Sequence, residues 1–358
     1  MECQGFFASY KIKLWKGVSL VMDLSVIVPA CNMQGYIAAC LRSVTRCPRE
    51  HMDMECIVVD DGSTDDTADV VHRYMERDSR IKLVTKENGR VSDARNSGLA
   101  EAAGRYILFL DADDRLCEDA WEQIEAAVEE EYADFVAFSY ITLGESGKLK
   151  AQMFPIPDVV TTDAAEAKRL MYADSALNRC WGKLFKSSII RDNNIAFRTD
   201  LPAGEDFLFV AEYFECCSSY LLTKAMIVYH LQEGKDAMRS YSMEERLGFV
   251  NIVYDYNAAA VKRYSDNNLE AGMNVYYLKV LTNLFYEYAK EYHYNKEALA
   301  GIYKKALENE IVNRILGEVE ESLIASRIKR YEYRLLAGGN AKKIAGYYML
   351  RAKLQRGF

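Results

Sequence analysis

A chain of 358 residues, half of them hydrophobic, has apolar surface enough for two domains or one large one, which excludes a disordered or fibrous protein. Its net charge of −8 argues against a general nucleic-acid binder, so no nucleic-acid partner is expected. Nine scattered cysteines, odd in number and without a C-x-x-C pair, speak against a disulfide framework or zinc site and fit a reducing, cytoplasmic compartment.

Residues 1–21 place Lys11, Lys13 and Lys16 among apolar residues without a signal-peptide cleavage pattern. Met22 opens the first orderly strand, so the segment before it reads as an N-terminal extension that need not belong to the native start. Residues 24–29, short and β-branched, predict a buried strand, followed by a helix over 35–45 with Ile37, Leu41 and Val44 on one face. A second strand over 56–59 ends in Asp60-Asp61-Gly62-Ser63, and Ser63 or Thr64 is expected to cap a helix to about Glu76. A third strand over 81–84 leads to a helix capped by Ser92 and stopped at Gly104. A strand over 106–110, a helix over 118–131 and a strand over 134–139 follow. Vicinal Cys216 and Cys217 are expected in a helical core.

Strands alternating with helices of this length predict βαβ units and a mostly parallel sheet, an α/β fold, in which ligands sit beyond the carboxyl ends of the strands. The polar clusters fall at those ends: Asn32, Asp60-Asp61, and Asp111 to Asp114. Residues two apart in an extended chain point to one side, so Asp111 and Asp113 face a common point. Packed carboxylates repel, and all-oxygen ligands suit Mg²⁺ or Mn²⁺. A turn of solvated aspartates is the plainer alternative.

Beyond residue 240 the texture changes. The stretches 244–263, 270–292 and 296–315 have helical apolar spacing, many tyrosines and no proline. The expected organisation is therefore an extension over 1–21, a sheet domain over 22–240 and a helical region over 241–358 with a basic tail. From Arg327 onward nine Lys or Arg stand against Glu332 alone. Together with Ile344, Tyr347, Tyr348 and Leu354, that tail could rest on an anionic membrane at its cytoplasmic face or simply cover the domain.

Six segments in order carry a resemblance: residues 25–32 (SVIVPACN), 57–65 (IVVDDGSTD), 94–99 (ARNSGL), 111–114 (DADD), 181–184 (WGKL) and 204–206 (GED). From about Leu24 to His230 the chain resembles the inverting nucleotide-sugar glycosyltransferases of family 2, which have the Rossmann-like GT-A fold. The resemblance implies a nucleotide-sugar donor, here a UDP-sugar, a glycan or lipid-linked acceptor, and a part in surface polysaccharide assembly. Pro29 and Ala30 would floor the base, Asn32 would hold that loop, and Asp60 or Asp61 would accept the uracil N3–H. Arg95 would meet the diphosphate or brace the aspartate loop; Asp111 and Ala112 would lie towards the donor. Asp113, with Asp111 and His230, would ligate Mn²⁺ or Mg²⁺. Asp206 matches the position of the base, with Glu205 second, and Trp181 and Lys183 would meet the acceptor.

The sequence departs from the family pattern in places: Cys31 replaces an aromatic, which would thin stacking on the base, Asp93 adds negative charge near the diphosphate, which would weaken donor binding or shift its preference, and the arginine usual just after the strand at Tyr229 is not evident. The Q-x-x-R-W signature of processive synthases is missing, so addition of a single sugar is expected. An inactive relative acting as a scaffold, a sugar nucleotidyltransferase and an aspartate-nucleophile phosphatase are the competing readings. A nucleotidyltransferase would want a Gly-rich triphosphate loop after the first strand, which Pro29-Ala30-Cys31-Asn32 does not supply; a phosphatase would carry its aspartates on that strand.

Overall fold

The computed structural model describes residues 22–48, 52–129, 133–143, 149–153, 163–173, 177–201, 203–231, 241–292 and 295–356, so the N-terminal extension lies outside the described residues. Strands β1 (Met22–Ala30), β2 (Met54–Asp61), β3 (Ile81–Lys86) and β4 (Gly104–Phe109) alternate with helices α1 (Ile37–Val44), α2 (Thr67–Met75) and α3 (Arg90–Glu101). The four strands pair in parallel in the order β3-β2-β1-β4. All eight residues of β2 are buried, the continuous apolar pattern of a strand covered on both faces. Close approach of α3 depends on Gly98, where a Cβ would stand 2.4 Å from Ile27 Cγ2.

The other half of the sheet is mixed. It is built from β5 (Arg115–Leu116), β6 (Phe135–Leu143), β7 (Leu149–Met153), β8 (Lys183–Lys186) and β9 (Tyr220–Leu231), with α4 (Ala120–Glu129), α5 (Ala164–Tyr172), α6 (Ser187–Asp192) and α7 (Glu205–Glu215) between them. Strand β8 runs antiparallel to both β4 and β6, β9 is parallel to β6, and β5 closes the far edge antiparallel to β9. The order is β3-β2-β1-β4-β8-β6-β9-β5, with β7 also paired to β6. Six further α-helices follow: α8 (Met243–Tyr264), α9 (Asn267–Glu291), α10 (Lys296–Leu307), α11 (Glu310–Glu318), α12 (Arg327–Ala337) and α13 (Ala341–Arg356).

The chain divides into two compact units, Met1–Ala167 with Ala176–Lys235 and Lys168–Ser175 with Asp236–Phe358. The first is the sheet with its helices. The second packs on tyrosines: Tyr254, Tyr277, Tyr303 and Tyr348 are fully buried in it. Polar caps set its helix starts, as in the capping box of Ser242 and Glu245 at α8. The expected helix over 296–315 is broken in two because the Asn309 carboxamide accepts the Ile311 N–H and begins a new helix.

Other local expectations fail for physical reasons. Ser63 and Thr64 cap no helix: Ser63 Oγ accepts the Asn32 N–H at 2.9 Å, Thr64 N–H donates to Asn32 Oδ1 at 2.8 Å, and α2 begins only at Thr67. Ser92 lies inside α3, buried, behind an N-cap at Gly89. Cys216 and Cys217 follow the last turn of α7 and are only half-buried. The apolar stripe expected on the basic tail is split: Ile344 and Tyr348 are buried in the second unit, Tyr347 is half-buried and Leu354 is exposed.

Candidate active site

The first two strand tips are tied to each other. After β1 the chain turns through Asn32, at a positive φ of 55°. Its backbone and carboxamide take Ser63 and Thr64, and next to it Met33 N–H donates to Thr67 Oγ1 at 2.7 Å. Pro29 and Ala30 are buried at the end of β1, Ala30 in register with Asp60. Both aspartates of the second tip are buried. Asp60 Oδ1 accepts the Ser63 N–H at 3.1 Å. Asp61 Oδ1 accepts the Lys86 ammonium at 2.9 Å and the Gly89 N–H at 2.8 Å.

Lys86 also reaches Asp93 Oδ2 at 2.5 Å. The charge that the sequence placed near a diphosphate is therefore answered by a lysine on the neighbouring strand. Asn88 fixes the same corner, donating to the Asp61 carbonyl at 3.0 Å and lying 3.4 Å from Cys31 Sγ.

The third tip continues β4. Leu110 N–H donates to the Ile27 carbonyl at 3.0 Å, extending the ladder by one residue before Asp111 turns out, and Asp114 N–H closes the turn on the Asp111 carbonyl. Ala112 is buried within it. One carboxylate oxygen from each of Asp111, Asp113 and Asp114 lies within 4.8 Å of the others. Three hard oxygen donors at this spacing fit Mg²⁺ or Mn²⁺, whose charge would offset their mutual repulsion. Burial, and then the charges of Asp111 and Asp113, push the Asp114 carboxyl up to about 6 against the bond from His230. His230 sits one contact further out, its Nδ1 3.1 Å from Asp114 and its ring stacked on Trp181 at 5.0 Å. Burial disfavours the imidazolium, but the hydrogen bond to Asp114 and the charge of that carboxylate together outweigh it and raise the His230 pKa.

Arg95, 4% exposed on α3, joins the third tip to α7. One guanidinium nitrogen donates to Asp206 Oδ1 at 2.5 Å and to Glu205 Oε1 at 3.3 Å; the other donates to Asp111 Oδ1 at 3.1 Å. Helix α7 starts at Glu205 because Gly204 adopts a φ of 84°, a left-handed turn that delivers both carboxylates in the first helical turn. The guanidinium lies 5.2 Å from the Phe197 ring centroid, and Asn96 bonds both the N–H and the carbonyl of Phe197. Phe197 stacks on Phe209 of α7 at 4.0 Å, and Phe109 of β4 meets both rings edge-on. An aromatic core thus sets the distance between the aspartate tip and the α7 carboxylates.

Burial, then repulsion from Asp206, pushes the Glu205 carboxyl up to about 7. Lys183, buried in β8, has its ammonium 3.4 Å from the Trp181 carbonyl; desolvation brings it down to about 7. It is not a solvated lysine. Trp181 is itself buried, edge-on to Tyr140 at 4.6 Å, and Arg179 lies over both rings while donating to Tyr140 Oη at 2.9 Å.

The structure therefore brings Arg95, Asp111, Glu205 and Asp206 into one ion cluster, with Asp113, Asp114, His230 and Trp181 continuing from it. Asn32, Asp60 and Asp61 form a separate cluster at the tips of β1 and β2. Sequence reasoning missed Lys86, Asn88, Arg179, Tyr140 and Phe197. Only Asn88, in an Asn-Gly turn after a strand, left a local signal.

Comparison with known proteins agrees with this fold. Residues 25–183 match the family model described as glycosyl transferase family 2. Glycosyltransferase GlyA of Streptococcus pneumoniae is 29% identical over 59% of this chain and 31% of its own. Poly(ribitol-phosphate) β-N-acetylglucosaminyltransferase TarS of Staphylococcus aureus is 27% identical over 74% of this chain and 46% of its own. The chain thus spans less than half the length of these two relatives. The crystal structure of S. aureus TarS 1-349 in complex with UDP-GlcNAc superposes with a TM-score of 0.66 at 21% identity, covering 94% of this chain and 92% of that one, which establishes the shared GT-A-like fold. The match to glycosyl transferase family 2 thus lies on the sheet half of the chain, residues 25–183, and the GT-A-like architecture extends over nearly its whole length.

Proposed function

We propose that the protein is a metal-dependent, inverting glycosyltransferase that moves one sugar from a UDP-sugar to a hydroxyl of a glycan or lipid-linked acceptor in surface polysaccharide assembly. The observation that carries the reading is the single guanidinium of Arg95, which gathers carboxylates from β4 and α7 that are 95 residues apart in sequence. An acidic site held in this way by a buried cation suits a reaction with one group on the donor side and another on the acceptor side.

On this reading Asp60 and Asp61 meet the base. Asp61 Oδ1 is saturated by Lys86 and Gly89, so the carboxylate is fixed as an acceptor, which suits the N3–H of uracil. Pro29 and Ala30 form the floor beneath it. Asp111, Asp113 and Asp114 would hold Mn²⁺ or Mg²⁺, with His230 orienting Asp114 from behind. When bound, the ion supplies neutralisation of charge developing on the leaving diphosphate.

Asp206 is the acceptor-side base. Arg95 fixes its position, and it takes the hydroxyl proton as the new glycosidic bond forms on the face opposite the diphosphate. Glu205, its carboxyl near 7, is the alternate proton acceptor. Trp181 and Lys183 back the acceptor side. TarS has been solved in complex with UDP-GlcNAc and with UDP, and it is a poly(ribitol-phosphate) β-N-acetylglucosaminyltransferase, which favours a uridine donor and a glycan or polyol acceptor here.

Calorimetry with UDP in the presence and absence of Mn²⁺, followed by a transfer assay, tests the proposal. Asp113→Ala is expected to lose the metal-dependent part of UDP binding, and Asp206→Asn to keep UDP binding while losing transfer. UDP binding indifferent to metal would overturn the metal assignment; transfer retained by Asp206→Asn would pass the base to Glu205.

A further inference from the structure

The surface of α12 and α13 carries two features that occur together nowhere else in the described chain. Large apolar side chains are exposed at seven described positions, and five of these, Leu323, Ile328, Tyr331, Leu350 and Leu354, lie between residues 323 and 354. Over residues 322–356 the sequence contains one acidic residue, Glu332. That carboxylate is fully buried and ion-paired to Lys329 and Arg351, so it contributes nothing to the surface. The outward charge of this stretch is therefore wholly positive, on a chain whose net charge is −8.

Helical spacing aligns the two features. On α12, Ile328 and Tyr331 share a face with Arg327 and Arg334; on α13, Leu350 and Leu354 share a face with Lys343 and Tyr347. The rings of Tyr331 and Tyr347 meet at 5.2 Å, which joins the two faces into one. Lys342 and Lys353 flank it, exposed like Lys343 and Arg327, and none of these four has an ion pair among the described residues. Arg334 is the exception, paired with Glu321. The adjoining faces are spent on the core, through Leu336 and, two turns on from Ile328, Leu335 on α12, and through Ile344 and Tyr348 on α13.

A second copy of an acidic chain could meet the cations, but aliphatic side chains such as Ile328 and Leu354, about 60% exposed among cations of which only Arg334 meets an acid, Glu321, favour a partner that is apolar beneath an anionic surface. Apolar anchors within a cationic rim match the boundary between acyl chains and anionic headgroups. We propose that the α12–α13 face docks on an anionic lipid bilayer. No described helix is long and apolar enough to cross a membrane, so the contact lies in the interface and is reversible.

Cosedimentation of the full chain with vesicles tests this independently of any transferase activity. Half-phosphatidylglycerol vesicles should pellet the protein at low salt, and pure phosphatidylcholine vesicles should not. Reversing Lys342, Lys343 and Lys353 to Glu should lower the partition coefficient by more than a hundredfold, since loss of the three near-surface charges at about 1 kcal/mol each accounts for about that factor and the three new carboxylates add repulsion. Leu350→Ser with Leu354→Ser should weaken binding without removing its salt dependence. All five side chains are exposed, and unchanged circular dichroism would show that each variant folds. Equal binding to the two vesicle types, undiminished binding by the charge reversal, or a concentration-dependent dimer in size exclusion that the double Leu→Ser variant abolishes, would each overturn the proposal, the last assigning the face to a second copy.

Discussion

A guanidinium that is 4% exposed and serves three carboxylates cannot be removed without stranding buried charge. Arg95→Met is therefore expected to destabilise the fold by about 3–5 kcal/mol, read as a lower urea midpoint, while Arg95→Lys keeps the charge but cannot span Asp111 and Asp206 together. Lys183 gives a pH signature. Its ammonium is near 7 in the folded chain against an ordinary 10.5, so the folded state releases a proton the unfolded state keeps. Below about 7 both states are charged and the burial cost is fully present; between about 7 and 10.5 the unfolded state binds more protons, so stability rises with pH. Thermal melts should show Tm climbing over that window, and Lys183→Met should flatten the climb. At the base site, Lys86→Met leaves Asp61 Oδ1 with the Gly89 N–H and without its cation, and removes the ion pair of Asp93; UDP binding by calorimetry should weaken about tenfold with kcat unchanged, the pattern of lost uniform binding.

At the scale of elements, the position of α3 decides the site, because that helix carries Arg95, Asn96 and Gly98. A side chain at 98 must enter the space of Ile27 on β1. Gly98→Val should cost about 1–3 kcal/mol by overpacking and displace Arg95 from Asp206, so activity should fall further than stability alone explains. Denaturation midpoints and transfer rates measured on the same preparation separate the two. The βαβ half was legible in the sequence since apolar runs and spacing encode it locally. The site's second half was not: β8 enters antiparallel beside β4, and Phe197 reaches Arg95 through stacking on Phe209, pairings that close only over long sequence separation.

For the whole molecule, the expected boundary at residue 240 misses a crossing. Helix α5 begins in the first unit, but residues 168–175 belong to the second. There Tyr172 is fully buried, its carbonyl accepts Asn257 Nδ2 at 3.3 Å, and Lys168 lies 3.9 Å from the Tyr264 ring centroid. A fragment ending at 240 loses those partners and leaves Leu170, Met171 and Tyr172 without cover. It should aggregate or run as a broad species in size exclusion, where the full chain gives one peak.

What the sequence determined by itself is the set of acidic tips at the ends of buried strands, because hydrophobic periodicity fixes a strand and its end is where polar residues begin. It also carried the order of the six segments, and with them the family resemblance. Only the tertiary structure decided which charges answer one another: that Lys86 neutralises Asp93, that Arg95 binds Asp206 and Asp111 together, and that Glu332 is hidden while Ile328 and Leu354 are not. Ion pairing and burial depend on distances in space, and a sequence orders residues only along the chain.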